Sequence, residues 1–461
     1  MRGGGRSGRP HASLSGVPWT VDQVLALASD GSVARAGREL ASPRKWRSTG
    51  ANGQAVWGEC QGSAAEPYRV TIDLAGPAYR CTCPSRKLPC KHALGLFLAY
   101  AGQADRATTE DAPTWVTDWL AGRTRSTDRA ASKAPKAVDP VRAAADQEKR
   151  VRRREERITQ GVDDLERWLH DLLRTGLAET AQRSSASFEQ MAARLVDAQA
   201  AGLARFVREL AILPHISSTW PERMLVSIGR LGLLIEAWRR QDALDPDLRA
   251  EVRSLVGIPE SREDVLETPP VHDRWDVLGR RLIDGDRLRV QRTWLRGATT
   301  QRWALVLDFS AGPQPLDSTL VPGTSVTGAL HFYSGALPMR ALAGEPLVYA
   351  GVVEQLAAVS IGDALRAYAE QLARNPWLER APLALHRVYV RRAQAGNRWA
   401  AVADDGRNVP LAGESTWHLA ALSGGHPVDL FGEWDGYSVW PLSVMVDGRC
   451  VPLRTPLQLA A

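Results

Sequence analysis

The sequence predicts a multidomain α+β protein on three observations. Twelve residues near the N-terminus, CTCPSRKLPCKH, gather Cys81, Cys83, Cys90 and His92 between a strand-like run and an apolar run, outlining a small ββα-like metal-held unit. Residues 158–257 repeat apolar side chains at i, i+3, i+4 and i+7, the stripe of amphipathic helices, which makes an all-helical middle region. From about Trp275 the period becomes two, with Gly and Asp at the turns, so the C-terminal region reads as mostly antiparallel β with one helical insertion.

Composition sets the bounds. A chain of 461 residues is expected to hold roughly two to four domains. Hydrophobic residues make up 44%, enough for several cores. The balance of 58 basic against 52 acidic residues, a net +6, permits nucleic-acid binding without demanding it. Five cysteines are too few for a disulfide framework and suit a reducing compartment. The opening MRGGGRSGRPHASLSG has charge but no apolar stretch after it, so no signal peptide is read. No apolar run reaches the roughly 18 residues of a membrane span. The expectation is a soluble, cytoplasmic protein with no membrane partner.

Residues 1–16 are rich in Gly, Arg and Ser and read as a disordered tail. Residues 17–121 form the metal-binding domain, with its core at 56–100. Thr20 to Ala28 reads as a helix capped by Thr20, and Gly31 to Leu40 as a second. Tyr68 to Leu74 and Ala78 to Arg80 are strands leading into Cys81-Thr82-Cys83. Residues i and i+2 point apart on a helix, so this pair needs an extended or turned backbone. Pro84 and Pro89 stiffen the connecting loop. Cys90 precedes, and His92 opens, an apolar helix that runs to Tyr100.

The C-x-C-x6-C-x-H set is a complete tetrahedral donor set for Zn²⁺, which takes four Cys or His ligands in structural sites. Three thiolates on Zn²⁺ leave a net −1, and Arg80, Arg86, Lys87 and Lys91 surround it with no acid between Arg80 and His92. Nearby cations favour the thiolate form. No position is left for a catalytic water, so the site reads as structural. Two other readings stay open on the residues alone: a three-Cys, one-His iron–sulfur site, for which the C-x-H ending is unusual, and a chance grouping in a basic loop.

This spacing is similar to the SWIM-type zinc finger. So is the approach to it: Trp57-Gly58-Glu59-Cys60, then Pro67-Tyr68-Arg-Val, then Cys-Thr-Cys-Pro-Ser85. By position the ligands are Cys81, Cys83, Cys90 and His92, with Cys60 outside the pattern. The wider chain also resembles long bacterial SWIM zinc finger family proteins, through Val196-Asp197-Ala-Gln199-Ala-Ala-Gly202-Leu203 and through Phe332-Tyr333 with Leu337-Pro-Met-Arg340. The resemblance implies zinc binding and contact with nucleic acid or protein. It implies no settled activity for the long members. If the ligand is DNA or RNA, Arg86, Lys87 and Lys91 in the metal loop are the phosphate contacts. The competing expectation is a protein–protein adaptor without nucleic-acid contact.

Residues 122–157 read as a linker, poor in large apolar side chains to Ala145, followed by a charged helix. The helical region spans 158–268 and the β-rich region 269–461. An internal echo pairs Arg292-Thr-Trp294-Leu-Arg296 and Arg302-Trp303-Ala304 with Arg387-Val-Tyr389-Val-Arg391 and Arg398-Trp399-Ala400, each a hairpin. The basic run Lys149 to Arg157 reads as a solvated helix face, because Glu148, Glu155 and Glu156 interleave with it. Asp197 and Gln199 read as polar residues inside an apolar helix. Most of the 16 tryptophans read as core, and Cys60 and Cys450 as buried thiols. No phosphate loop, dinucleotide fingerprint, nucleophile elbow or metalloprotease motif is present. The sequence therefore points to a binding protein rather than an enzyme. An enzyme site in the C-terminal β region is the remaining alternative.

Overall fold

A computed structural model of the chain describes residues 21–25, 27–28, 31–61, 66–74, 78–85, 89–102, 111–131, 140–180, 185–216, 219–284, 288–311, 316–392 and 398–453. The tail at 1–16 and Thr20, the expected helix cap, lie outside them.

Helices α1 (Val21–Leu25) and α2 (Gly31–Leu40) precede a four-stranded antiparallel sheet, β1 (Trp46–Ala51), β2 (Ala55–Cys60), β3 (Tyr68–Asp73) and β4 (Ala78–Cys81), in the order β1-β2-β3-β4. Helix α3 (Lys91–Ala101) covers one face. Val56, Val70 and Ile72 pack there on Leu94, Phe97 and Leu98. Helix α4 (Thr114–Ala131) covers the other face, where Val116 and Leu120 meet Ala55 and Trp57. The unit is thus larger than the expected hairpin and helix: β1 and β2 extend the sheet.

The linker expected from 122 is helical at its start, because α4 continues to Ala131. That stretch has no Pro and no Gly beyond Gly122, so nothing stops the helix. The 36-residue helix α5 (Pro140–Thr175) follows. With α6 (Leu177–Thr180), α7 (Ser185–Asp197), α8 (Ala201–Ile216), α9 (Trp220–Arg239), α10 (Pro246–Val256) and α11 (Arg262–Glu267) it forms the helical middle. Leu165, Leu172, Leu195, Leu203, Ile228 and Trp238 share its core. Pro221 begins α9, as expected of a residue with no amide hydrogen to lose, whereas Pro214 lies inside α8 near its end. Asp197 is the exposed last residue of α7, and Gln199 is exposed in the turn before α8 rather than inside a helix. Gln199 adopts a left-handed φ of 62° there. Gly202 follows so close to α10 that an added Cβ would collide with the carbonyl oxygen of Leu255.

The remainder is β5 (Val271–Asp284), β6 (Leu288–Gly297), β7 (Trp303–Ala311), β8 (Thr324–Phe332), β9 (Arg340–Ala343), β10 (Val348–Val352), α12 (Ile361–Arg374), β11 (Ala381–Arg392), β12 (Trp399–Val402), β13 (Asn408–Leu411), α13 (Thr416–Ser423), β14 (Val428–Trp434), β15 (Val439–Val446) and β16 (Arg449–Pro452). These strands make two sheets, and each closes on itself. One ring is β5-β6-β7-β9-β8, because β8 also pairs with β9. The other is β11-β12-β13-β15-β14, because β13 also pairs with β15. In chain order both run 1-2-3-5-4, with strands 3 and 5 parallel and every other pair antiparallel. This is the connectivity of the small five-stranded OB-type barrel.

Trp275, Val277, Leu295 and Val326 fill the first barrel, and Leu385, Val390, Ala401 and Leu430 the second. A third cluster joins them: Leu278, Trp294 and Leu305 of the first barrel meet Phe431 and Leu442 of the second. Both echoed hairpins form, but they are strands 2 and 3 of one barrel and strands 1 and 2 of the other, so the echo is not a barrel repeat. Besides the expected insertion α12, the second barrel contains α13, whose eight apolar-rich residues carry no amphipathic period to announce it.

Candidate metal centre

The donor set assembles from three elements. Cys81 ends β4 opposite Val70. Thr82 is pinned to β3, its amide donating to the Arg69 carbonyl at 3.1 Å and its hydroxyl accepting from the Arg69 amide at 3.0 Å. That pair of bonds fixes the backbone between Cys81 and Cys83 and turns both thiols to one side. Cys90 is the N-cap of α3, and its sulfur accepts from the Ala93 amide at 3.5 Å. His92 lies in the first turn and is buried. Its Nδ1 sits 3.9 Å from the Cys81 sulfur, and its ring centre 4.9 Å from that of Tyr68 on β3.

The four donor atoms of Cys81, Cys83, Cys90 and His92 all lie within 4.8 Å of one another, close enough for a single ion. Zinc–sulfur and zinc–nitrogen bonds of roughly 2.3 Å and 2.0–2.1 Å place tetrahedral ligands roughly 3.5–3.8 Å apart, inside that limit. A hydrogen bond from Cys81 holds the Cys90 thiol down at about 4 against the opposing effect of burial, and bonds from His92 and the Ala93 amide help. The same bond, with burial, pushes Cys81 up. Metal ligation needs these thiols deprotonated, so binding a divalent cation would release their protons. Burial also pushes Cys83 up. Cys60 is buried beside the site but outside the donor set.

Of the cations expected to meet a ligand, Lys91 is exposed at the first position of α3, while Arg86 and Lys87 lie outside the described residues. The structure adds one that the linear motif does not contain. Burial raises the Cys60 thiol, and Lys91 and Lys45 both pull against it, so the two ammonium groups lie within electrostatic reach of the same buried thiol. Lys45 and its neighbour Arg44 are exposed in the short turn before β1. The Pro43-Arg44-Lys45 run is the signal that could have found it. Arg80 is exposed on β4, whereas Arg69 is taken by Glu59 at 3.3 Å.

Away from the metal centre, a cavity of about 690 Å³ lies where the bundle meets the first barrel, lined among others by Gly202, Arg205, Glu251, Trp294, Tyr333 and Arg340. Its guanidinium groups are largely satisfied from within: Arg205 by Glu379 at 2.6 Å, Arg253 by Glu155 at 2.7 Å, and Arg292 by Glu433 at 2.7 Å. Part of the basic run on α5 is also used internally. Arg154 donates to the Gly257 carbonyl at 2.7 Å, and Arg152 pairs with Glu156. No helix among the described residues is long and apolar enough to cross a membrane.

Comparison with known families agrees with this geometry. Residues 68–101 match the SWIM zinc finger, a span that runs from the first residue of β3 to the last of α3. Residues 153–256 match the SWIM-associated four-helix bundle domain, which ends with α10. No curated protein and no solved structure matches the chain.

Proposed function

Because this chain is a SWIM-type zinc finger protein, with the finger and its companion bundle both present, we propose that its finger is a zinc-stabilised interaction module whose ligand is nucleic acid. One observation supports this above the others: Arg44, Lys45, Arg80 and Lys91, from three different elements of the metal unit, are all exposed, and Lys45 and Lys91 both act on the same buried Cys60. A rigid backbone presenting several ammonium and guanidinium groups outward is suited to phosphates. The zinc holds that backbone and performs no chemistry of its own. Four protein ligands leave no open position for water, so the finger is assigned no catalysis.

The test is a titration of the full chain against DNA and RNA over a salt series. The triple variant Arg86→Ala, Lys87→Ala, Lys91→Ala is expected to bind all sequences more weakly. Every phosphate no longer neutralised should flatten the slope of log K against log salt by about 0.7–0.9. Zinc content should stay unchanged. Equal binding by parent and variant at low salt would reject the finger as the nucleic-acid site and leave a protein partner for it.

A further inference from the structure

We propose that the second barrel carries a single-stranded nucleic-acid site of its own, formed by Tyr389, Arg391, Arg392, Arg398, Trp399 and Trp417. It shares no residue with the finger and does not depend on the finger's ligand.

The interface between the two barrels decides which face is left open. OB-type barrels take ligands on the outer face of strands 2 and 3 and on the adjoining loops. In the first barrel that face is closed, since Trp294 and Leu305 on β6 and β7 are packed against Phe431 and Leu442 of the second. In the second barrel this interface is made by β14, β15, β16 and the first half of β11, through Phe431, Leu442, Cys450 and Ala384, while β12 takes no part in it. Its β11–β12 hairpin and the start of α13 remain at the surface.

That surface is aromatic and cationic together. Trp417 is 52% exposed, whereas Trp275 and Trp294 are fully buried. Its indole and that of Trp399 have centres 5.0 Å apart and planes at 77°. The Arg392 guanidinium lies 5.1 Å from the Trp417 ring centre and 5.9 Å from that of Trp399. Tyr389 and Arg391 lie on the outer face of β11, Arg391 4.8 Å over the Tyr389 ring, while Arg392 and Trp399, paired across β11 and β12, lie on the core-side face at the barrel's rim, so the site wraps the end of the hairpin. Arg391, Arg392 and Arg398 are all exposed. Among the described residues none of the three has an ion-pair partner, while Arg387 and Arg407 on the same barrel pair with Asp404 and Asp405. The exposed acid in the adjoining loop is Glu414.

An exposed indole beside the uncompensated Arg392 guanidinium, with Arg391 and Arg398 exposed at the same end of the hairpin, fits a base to stack and phosphates to pair. A duplex hides its base faces in the stack, so the geometry selects a single strand. DNA and RNA present the same base and phosphate chemistry, and the test separates them.

The test uses the zinc-loaded full chain and fluorescein-labelled dT20, rU20 and a 20-base-pair duplex, read by anisotropy over a salt series. The parent is expected to bind a single strand more tightly than the duplex. Trp417→Ala should weaken single-strand binding about tenfold, the loss of one stacked base. Trp417→Phe should recover most of it, which separates stacking from misfolding. Arg391→Ala with Arg392→Ala should flatten the salt slope by about 1.4. The proposal is overturned if Trp417→Ala and the double Arg variant both bind like the parent, or if no single strand binds at low salt. It is also overturned if only the finger variant loses binding, an outcome that upholds the finger reading. If the finger variant binds like the parent and Trp417→Ala does not, the barrel stands and the finger reading falls.

Discussion

Cys83 has the least local support of the four donors, sitting in a turn rather than on a strand or at a helix cap, yet its loss should undo the centre. Structural zinc contributes roughly 10–16 kcal/mol in small zinc-finger peptides, against about 5–15 kcal/mol for the stability of a whole domain. The parent is expected to carry one zinc per molecule by metal analysis, and Cys83→Ser little or none, with faster proteolysis between β3 and α3. An iron content with visible absorbance would put an iron–sulfur centre in place of zinc. Zinc affinity should also fall as pH falls, because protons compete for the thiols; a competition titration with a zinc chelator across mildly acidic pH measures it. Gly202 makes a different kind of demand. Its missing side chain lets α8 approach the Leu255 carbonyl, so Gly202→Ala should destabilise the bundle by about 1–3 kcal/mol in urea unfolding.

Between elements, the most consequential interaction is the one that welds the two barrels. Glu433 of β14 is fully buried and accepts from Arg292 at 2.7 Å, from the Trp294 indole at 2.7 Å and from Arg281 at 3.2 Å. Arg281 also lies 3.7 Å over the Trp440 ring. Burial alone would raise the Glu433 carboxyl. The two guanidinium groups and the indole outweigh it and hold the group below its ordinary 4.5. A carboxylate depressed in the folded state adds stability that is complete above the unfolded value and is lost as pH falls through the folded one. Acidification below about pH 4 should therefore loosen the barrel pair. Removing one member of a buried charged set leaves the rest unpaired, so Glu433→Gln should cost roughly 3 kcal/mol at neutral pH and weaken the acid dependence. Chemical unfolding of both proteins at several pH values measures it, and an unchanged acid limb in the variant would exclude Glu433 as its source.

In the whole molecule, the finger is not a bead on a tether. Val321, from the segment before β8, belongs to the finger's own core. Tyr79 of β4 lies close to the half-buried Arg280 of the first barrel. An independent finger would melt alone on metal removal. The observed packing predicts more: chelation should raise hydrogen exchange in 68–101 and also in 317–324, while the bundle core around Leu165 and Leu195 stays protected. Protection unchanged at 317–324 would mean that the finger contributes little to holding that segment.

Local chemistry was legible in the chain before any fold was known. Cys81, Cys83, Cys90 and His92 follow from donor type and spacing. The bundle helices follow from the 3.6-residue stripe around Leu165 and Ile228, and the β region from alternation around Arg292 and Val390. Each of these signals lies within a dozen residues. What depends on distant partners needed the folded chain. The ring closures rest on brief pairings such as Leu411 with Val439, separated by a helix and a strand, which leave no periodic trace. Glu433 reads as an ordinary strand carboxylate until the fold brings Arg281 and Arg292 to it from 152 and 141 residues away. Lys45 and Lys91 come within reach of one buried thiol only through the fold, and nothing local in the chain tells the exposed Trp417 of α13 from the buried Trp294 of β6. Pattern reports which face of an element is apolar; it does not report which other element will cover that face, because that choice is made by packing across the whole chain.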